Sequence, residues 1–279
     1  MSKSTQKIVS DVMTYILLTL GAVIMLAPFW WMVTTAFKLP ANQYSKTLLP
    51  NPATLNNFRE LLGAGVNFPL LFFNSFLISI LTVAGQLLTC AMAAFAFAVV
   101  RFRGRGLLFT ILLITLMIPS QVTLIPNFII FQWLHLVGTT VPLWITAFLG
   151  GAFGTFLLRQ YFLTIPRDLV DAARVDGASL IDIFWRIYMP LGRPALAALA
   201  IFTFQGAWND LLHPLVYMPA VPNTTLTVGL AFFQQQLTQG GKFTVLMAGG
   251  LVSILPLILV FFVAQKQFIE GIALSGVKR

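Results

Sequence analysis

Apolar residues run through this chain in blocks longer than a soluble helix needs. A bilayer-crossing helix requires roughly 20 mostly apolar residues. Six stretches meet that length: about Val12 to Phe37, Asn74 to Val100, Leu107 to Phe128, Pro142 to Phe162, Pro194 to Met218 and Val245 to Gln265. Polar and charged positions fall in short islands between them. The pattern predicts an all-α, polytopic membrane protein, with residues 1–279 forming one transmembrane domain. The first run has an apolar core too long for a signal peptide and no small-residue cleavage site, so it is expected to stay attached.

Composition strengthens this reading. Of 279 residues, 58% are hydrophobic and 9% charged, and mean hydropathy is +0.88. A soluble domain carries about 25% charged residues, so this chain lacks the charge to cover a water-facing surface. The net charge of +9 invites a nucleic-acid reading, but the distribution of the cations explains it better. Lys and Arg collect in the cytoplasmic loops of membrane proteins. One side of the spans holds Lys3, Lys7, Arg101, Arg103, Arg105, Arg159, Arg167, Arg174, Arg186, Arg193, Lys266, Lys278 and Arg279. The other holds Lys38, Lys46, Arg59 and Lys242. Thirteen against four of the seventeen cations orients both termini to the cytoplasm. The single cysteine, Cys90, lies in an apolar run, excludes an internal disulfide and is expected to pack.

The connection at about 164–193 departs from the rest, with charges of both signs in DAARVDGASLIDIFWRIYMP, from Asp171 to Pro190. Pro166 can open a helix, with Asp168 favourably placed in its first turn. Asp176-Gly177 is a stop signal, since glycine accepts the left-handed conformation that ends many helices. Ser179 and Asp182 have capping-box spacing for a second helix, which Pro190 is expected to close and after which Pro194 opens the next span. Leu180, Phe184 and Ile187 would form one stripe, with Ile181, Trp185 and Tyr188 beside it. A solvated connector is one reading of such a loop. Large apolar residues on short, tightly capped helices favour the other, a helix pair inserted into a groove on another protein.

This stretch resembles the signature loop of the membrane subunits of ATP-binding-cassette importers. That pattern is Glu-Ala-Ala, three residues, Gly, nine residues, then Ile-x-Leu-Pro. Here Asp171, Ala172, Ala173 and Gly177 are followed by Ile187-Tyr188-Met189-Pro190 at the matching distance. Asp171 replaces the glutamate and Met189 the leucine; the aspartate keeps the charge on a side chain one methylene shorter. Asn74-Ser75-Phe76, Arg101-Phe102-Arg103-Gly104, Trp208-Asn209 and the tail from Gly271 to Lys278 resemble the sugar-uptake branch. The likeness is to the shorter, six-span permease of maltose-type pairs.

The resemblance implies a permease subunit moving a sugar or sugar-like solute across the bacterial plasma membrane by alternating access. It implies a second, homologous permease, a cytoplasmic ATPase dimer and an extracellular or periplasmic solute-binding protein facing about residues 38–68 and 219–243. ATP and Mg would be used by the partner ATPase, with no cofactor bound by this chain. Asp171, Ala172, Ala173 and Gly177 would form the centre of the ATPase contact, with Asp182, Phe184 and Arg186 beside them; Asp182 reads equally well as a simple cap.

The residues agree that energy must come from outside. No phosphate-binding loop occurs, since Gly240-Gly241-Lys242 is followed by Phe243. No nucleophile has a companion base, and no His, Cys or carboxylate cluster has metal-ligand spacing. This disfavours a membrane enzyme. A secondary transporter or channel remains the alternative, although Asp210 is the one acidic residue deep in a span.

For a solute path, Gln205, Trp208, Asn209 and Leu212 fall on one helical face, with Gln121, Thr123 and Asn127 near Pro119 and Pro126 as a second polar group in a broken segment. An aromatic ring beside amides suits a sugar. Hydrogen bonding between helices is the competing account. Asp210 pairs with His213 or a partner's cation, or binds a cation or amine. Gln86 suits an interhelical contact, and Gly150-x-x-x-Gly154 a close packing at the partner junction.

Overall fold

The computed structural model describes residues 3–63, 67–219, 224–237 and 242–276. Gly240, Gly241, Lys278 and Arg279 lie outside them. No strand forms among the described residues. In hydrocarbon each backbone N–H and C=O must be satisfied internally, and the helix does this within one segment.

The chain runs through α1 (Lys3–Ala36), α2 (Asn56–Gly63), α3 (Phe68–Ala98), α4 (Arg105–Thr115), α5 (Ser120–Trp133), α6 (Val141–Ile145) and α7 (Ala152–Phe162). It continues through α8 (Arg167–Val175), α9 (Leu180–Ile183), a π-helical turn (Phe184–Tyr188), α10 (Met189–Leu191), α11 (Arg193–Trp208), α12 (Leu212–Tyr217), α13 (Leu226–Leu237) and α14 (Phe243–Gly276). Four segments are long and apolar enough to cross a membrane: Ser10–Ala36, Phe68–Ala98, Val141–Phe162 and Phe243–Val263. Two bent pairs bring the number to as many as six by length and composition: Arg105–Thr115 with Ser120–Trp133 at 94°, and Leu180–Leu191 with Arg193–Trp208 at 75°, where the bend sets Leu180–Leu191 off from the span that Arg193 begins.

Three of the apolar runs are therefore not continuous α-helices. The third breaks between Thr115 and Ser120, where Pro119 takes an extended conformation before α5. The fourth tightens into a 3₁₀ turn over Thr146–Leu149 and breaks at Gly150, whose φ is 95°. The fifth stops at Trp208 and resumes at Leu212. At 1.5 Å per residue α11 alone reaches only about 24 Å, short of a hydrocarbon core of about 30 Å.

Packing divides the chain into two units, residues 1–66 with 230–255, and residues 67–229 with 256–279. In the first, Asn57 is fully buried and ties three segments together. Its amide donates to the Ala36 carbonyl at 2.8 Å and the Lys38 carbonyl at 2.7 Å, while Thr244 donates to its oxygen at 3.0 Å. Lys38 is buried with its Nζ on the Ser45 carbonyl at 2.9 Å. Lys242 bonds Glu60 at 2.7 Å, and the Phe243 amide donates to Gln43 Oε1 at 2.9 Å.

In the second unit, α3, α7 and α11 pack against one another. A Cβ on Gly154 would sit 2.8 Å from Cys90 Sγ on α3 and 3.0 Å from a Leu199 methyl on α11. Gly154 therefore serves packing inside this chain; the expectation that the Gly150–Gly154 pair lies at the partner junction does not hold for Gly154. Cys90 is buried and donates to Gln86 Oε1 at 3.0 Å. A Cβ on Gly151 would meet that same Gln86 side chain, so Gln86 does bridge helices. Asn74 Nδ2 donates to the Thr224 carbonyl at 3.0 Å, and the Leu226 amide donates to Ser75 Oγ at 2.8 Å.

Candidate functional site

Helix α8 ends in a turn fully determined by hydrogen bonds. The Ala178 amide donates to the Ala173 carbonyl at 2.9 Å, and the Gly177 amide to the Arg174 carbonyl at 3.0 Å. These are the two bonds of a Schellman cap, which requires a left-handed residue between them. Gly177 supplies it, with φ of 80°. Ser179 then starts α9. The Asp182 amide donates to Ser179 Oγ at 3.2 Å, and Asp182 Oδ2 accepts from the Ser179 amide at 3.2 Å and its hydroxyl at 2.6 Å. These hydrogen bonds, chiefly from the hydroxyl, hold the Asp182 carboxyl below its ordinary value, and nearby Arg186 adds to the effect. Arg186 pairs with Asp182 at 3.5 Å across one helical turn, with its side chain largely in solvent.

The second helix does not stop at Pro190. It passes through the π turn at Phe184–Tyr188 and ends one residue later, at Leu191. Pro190 stands in the first turn of α10, where its missing N–H costs nothing. An inserted π turn shifts the register of the side chains around it.

That geometry sorts the apolar side chains into two groups. Val170, Ile183, Phe184 and Tyr188 join Phe95 of α3 and Leu158 and Phe162 of α7 in one buried cluster. Phe95 meets Phe184 edge-on at 5.4 Å and Tyr188 at 5.0 Å, and Phe162 meets Tyr188 at 5.2 Å. Phe184 is 5% exposed; it fastens the hairpin to the spans and does not present itself to a partner, a departure from the sequence expectation. Val175, Ile181 and Trp185 face outward instead, at 87%, 71% and 51% exposure. Asp171, Ala172 and Gly177 are exposed beside them, while Ala173 is half-buried against the cluster.

The expected path residues separate as well. Trp208 is 2% exposed, edge-on to Phe72 at 5.4 Å and stacked on Phe204 at 5.6 Å. It does not share an open face with Gln205, Asn209 and Leu212, which are exposed. The end of α11 at Trp208 takes Asn209 and Leu212 off that face, while within α11 Trp208 turns to Phe72 and Phe204 and leaves Gln205 exposed. Asn209 folds back to donate to the Gln205 carbonyl at 3.0 Å. Gln121 and Thr123 are exposed at the start of α5, and Asn127 is half-buried.

Asn127 is a polar neighbour of the Tyr217 hydroxyl on α12. Tyr217 packs edge-on to Phe131 at 5.4 Å and lies 6.0 Å from the His213 ring. His213 Nδ1 is 2.9 Å from Asp210 Oδ2, and Asp210 Oδ1 accepts from the His213 amide at 3.3 Å. The breaks in the third and fifth runs thus bring Asn127, Tyr217, His213 and Asp210 together. Sequence reasoning missed Tyr217; its one signal was the spacing of four residues from His213.

A family model described as the binding-protein-dependent transport system inner membrane component matches residues 86–273. The arabinooligosaccharides transport system permease protein AraQ of Halalkalibacterium halodurans is 35% identical over 94% of this chain and 96% of its own length. The galactooligosaccharides transport system permease protein GanQ of Bacillus subtilis is 32% identical over 95% and 94%. A chain in the crystal structure of a bacterial ABC transporter involved in the import of the acidic polysaccharide alginate superposes with TM-score 0.81 at 26% identity, covering 96% of this chain and 99% of that one. This six-run apolar chain, matched over nearly its whole length by such permeases, is a multi-pass inner-membrane subunit and not an enzyme, and it belongs to the family of binding-protein-dependent transport system inner membrane components.

Proposed function

We propose that this chain forms part of the path by which an ATP-driven importer moves a sugar or sugar-like solute across the plasma membrane. Its companions are a second, homologous permease, a cytoplasmic ATPase dimer that uses ATP and Mg, and an extracellular or periplasmic solute-binding protein. The names of AraQ and GanQ support an oligosaccharide as the solute class. The distribution of basic residues supports a hairpin on the cytoplasmic side with both termini. Asn127 and Tyr217 on one side, and Gln205 and Asn209 on another, are the groups we assign to the solute path.

One observation carries the mechanism. The hairpin from Arg167 to Leu191 is bolted by Phe184 and Tyr188 into the core of α3 and α7, yet turns Val175, Ile181 and Trp185 outward. Large apolar side chains in an aqueous loop suit burial in a groove on the ATPase. A push on them is transmitted to the spans, because packed cores shift as units. Asp171, Ala172, Ala173 and Gly177 lie at the centre of this contact, with Asp182 and Arg186 fixing the second helix.

Gly177→Arg tests this reading. A non-glycine residue at φ of 80° costs about 1–2 kcal/mol, and a long cation obstructs the groove. Uptake and solute-stimulated ATP hydrolysis are expected to vanish while membrane insertion stays normal. Normal uptake by this variant would remove the hairpin's coupling role.

A further inference from the structure

Between the hairpin and the ends of α3 and α7 lies a cavity of about 770 Å³. Apolar side chains, among them Val170 and Phe162, share its lining with Arg101, Arg105, Arg167 and Arg174 and one carboxylate, Asp171. Arg167, Asp171 and Arg174 share one face of α8 by their spacing. Arg101 and Arg105 join that lining from the turn after α3 and the start of α4. Arg105 donates to the Val100 carbonyl at 3.3 Å. Among the described residues, none of the four guanidinium groups is ion-paired with a carboxylate. The walls therefore hold four positive charges against one negative, a net of three.

Guanidinium groups gathered around one hollow raise the local positive potential and attract an anion, although solvent screens the exposed ones. Its volume falls in the range of small-molecule sites, about 300–1,000 Å³. Guanidinium groups bind phosphate through paired hydrogen bonds, and basic pockets at the cytoplasmic ends of membrane helices suit phosphate headgroups. We propose that this cavity binds a phosphate-bearing anion, supplied by an anionic phospholipid headgroup or by soluble phosphate. The anion bridges α8 to the α3–α4 turn and so steadies the hairpin that carries Asp171. The proposal uses the cytoplasmic placement of the hairpin given above, but not its grip on the ATPase.

The test uses the assembled transporter and a combined Arg101→Gln, Arg167→Gln, Arg174→Gln variant. Native mass spectrometry measures bound phosphatidylglycerol against phosphatidylcholine, and a calorimetric titration measures inorganic phosphate. Each lost charged hydrogen bond weakens binding about tenfold, so the variant should hold at least tenfold less of the probe that the wild type retains. Phosphatidylglycerol held selectively and not displaced by inorganic phosphate identifies the lipid source; phosphate binding in lipid-free detergent identifies the soluble one. Equal binding of both probes by wild type and variant overturns the proposal. So does loss of the ATPase from the variant with probe binding unchanged, which would assign these arginines to an acidic face of that partner. Should the combined variant not assemble, Arg174→Gln alone is read in the same way. Normal uptake by Gly177→Arg would leave this comparison standing, so the two readings fail separately.

Discussion

Ser179 and Asp182 show what two side chains contribute to the hairpin proposed as the transmission element. Their reciprocal bonds satisfy the donors exposed at the start of α9. Because the folded carboxyl titrates below its ordinary value of 3.8, the stabilisation is complete above that value and fades only as pH falls through the depressed one. The cap should thus be insensitive to pH across the neutral range. Ser179→Ala is expected to speed amide exchange of residues 180–183 about fivefold relative to wild type, and that ratio should be the same at pH 6 and pH 8; an unchanged exchange rate at either pH would show that the cap does not hold the helix. This pair was readable from spacing alone, as was Gly177. Phe184 and Trp208 were not. A helical wheel assigns faces only along unbroken α-helix, which the π turn at Phe184–Tyr188 interrupts, and it does not say which face meets the Phe72 and Phe204 rings that bury Trp208.

Among the elements, apolar length told where spans lie but not whether they are continuous. Pro119 and Pro126 marked the third run as broken, and it bends by 94°. The interruptions at Gly150 and after Trp208 fall beside Gly150-Gly151 and Pro214, breaker residues that the length of the apolar runs masks. Gly150 and Gly154, four residues apart, now have distinct physical roles. A Cβ at Gly154 collides with Cys90 and Leu199, whereas one at Gly150 meets nothing within 4 Å but is strained by its φ of 95°. Gly154→Val is expected to destabilise the purified protein by about 1–3 kcal/mol, read as a lower Tm in detergent. Adding Leu199→Ala should restore part of that loss, because the two sites share one contact. The same second change should not rescue Gly150→Val. Rescue of both, or of neither, would contradict the packing assignment.

At the scale of the whole molecule, the proposed transmission element and the proposed path are separate groups of residues. The hairpin is continuous with the core of α3, α7 and α11 through Phe95, Phe162, Phe184 and Tyr188. Of the groups proposed for that path, Asn127 and Tyr217 sit where the third and fifth runs break. Movement of the hairpin as one body with these helices fits rigid alternation about a central site. The central claim is that the outward apolar face of the hairpin is seated on an ATPase. Cys90 is fully buried, so a thiol introduced by Ile181→Cys is the accessible one among the described residues. Crosslinking from that position in the assembled transporter should capture the ATPase subunit, with a yield that changes when ATP binds. If the thiol instead reacts freely with a water-soluble maleimide and captures no ATPase in any nucleotide state, the hairpin is not the transmission element.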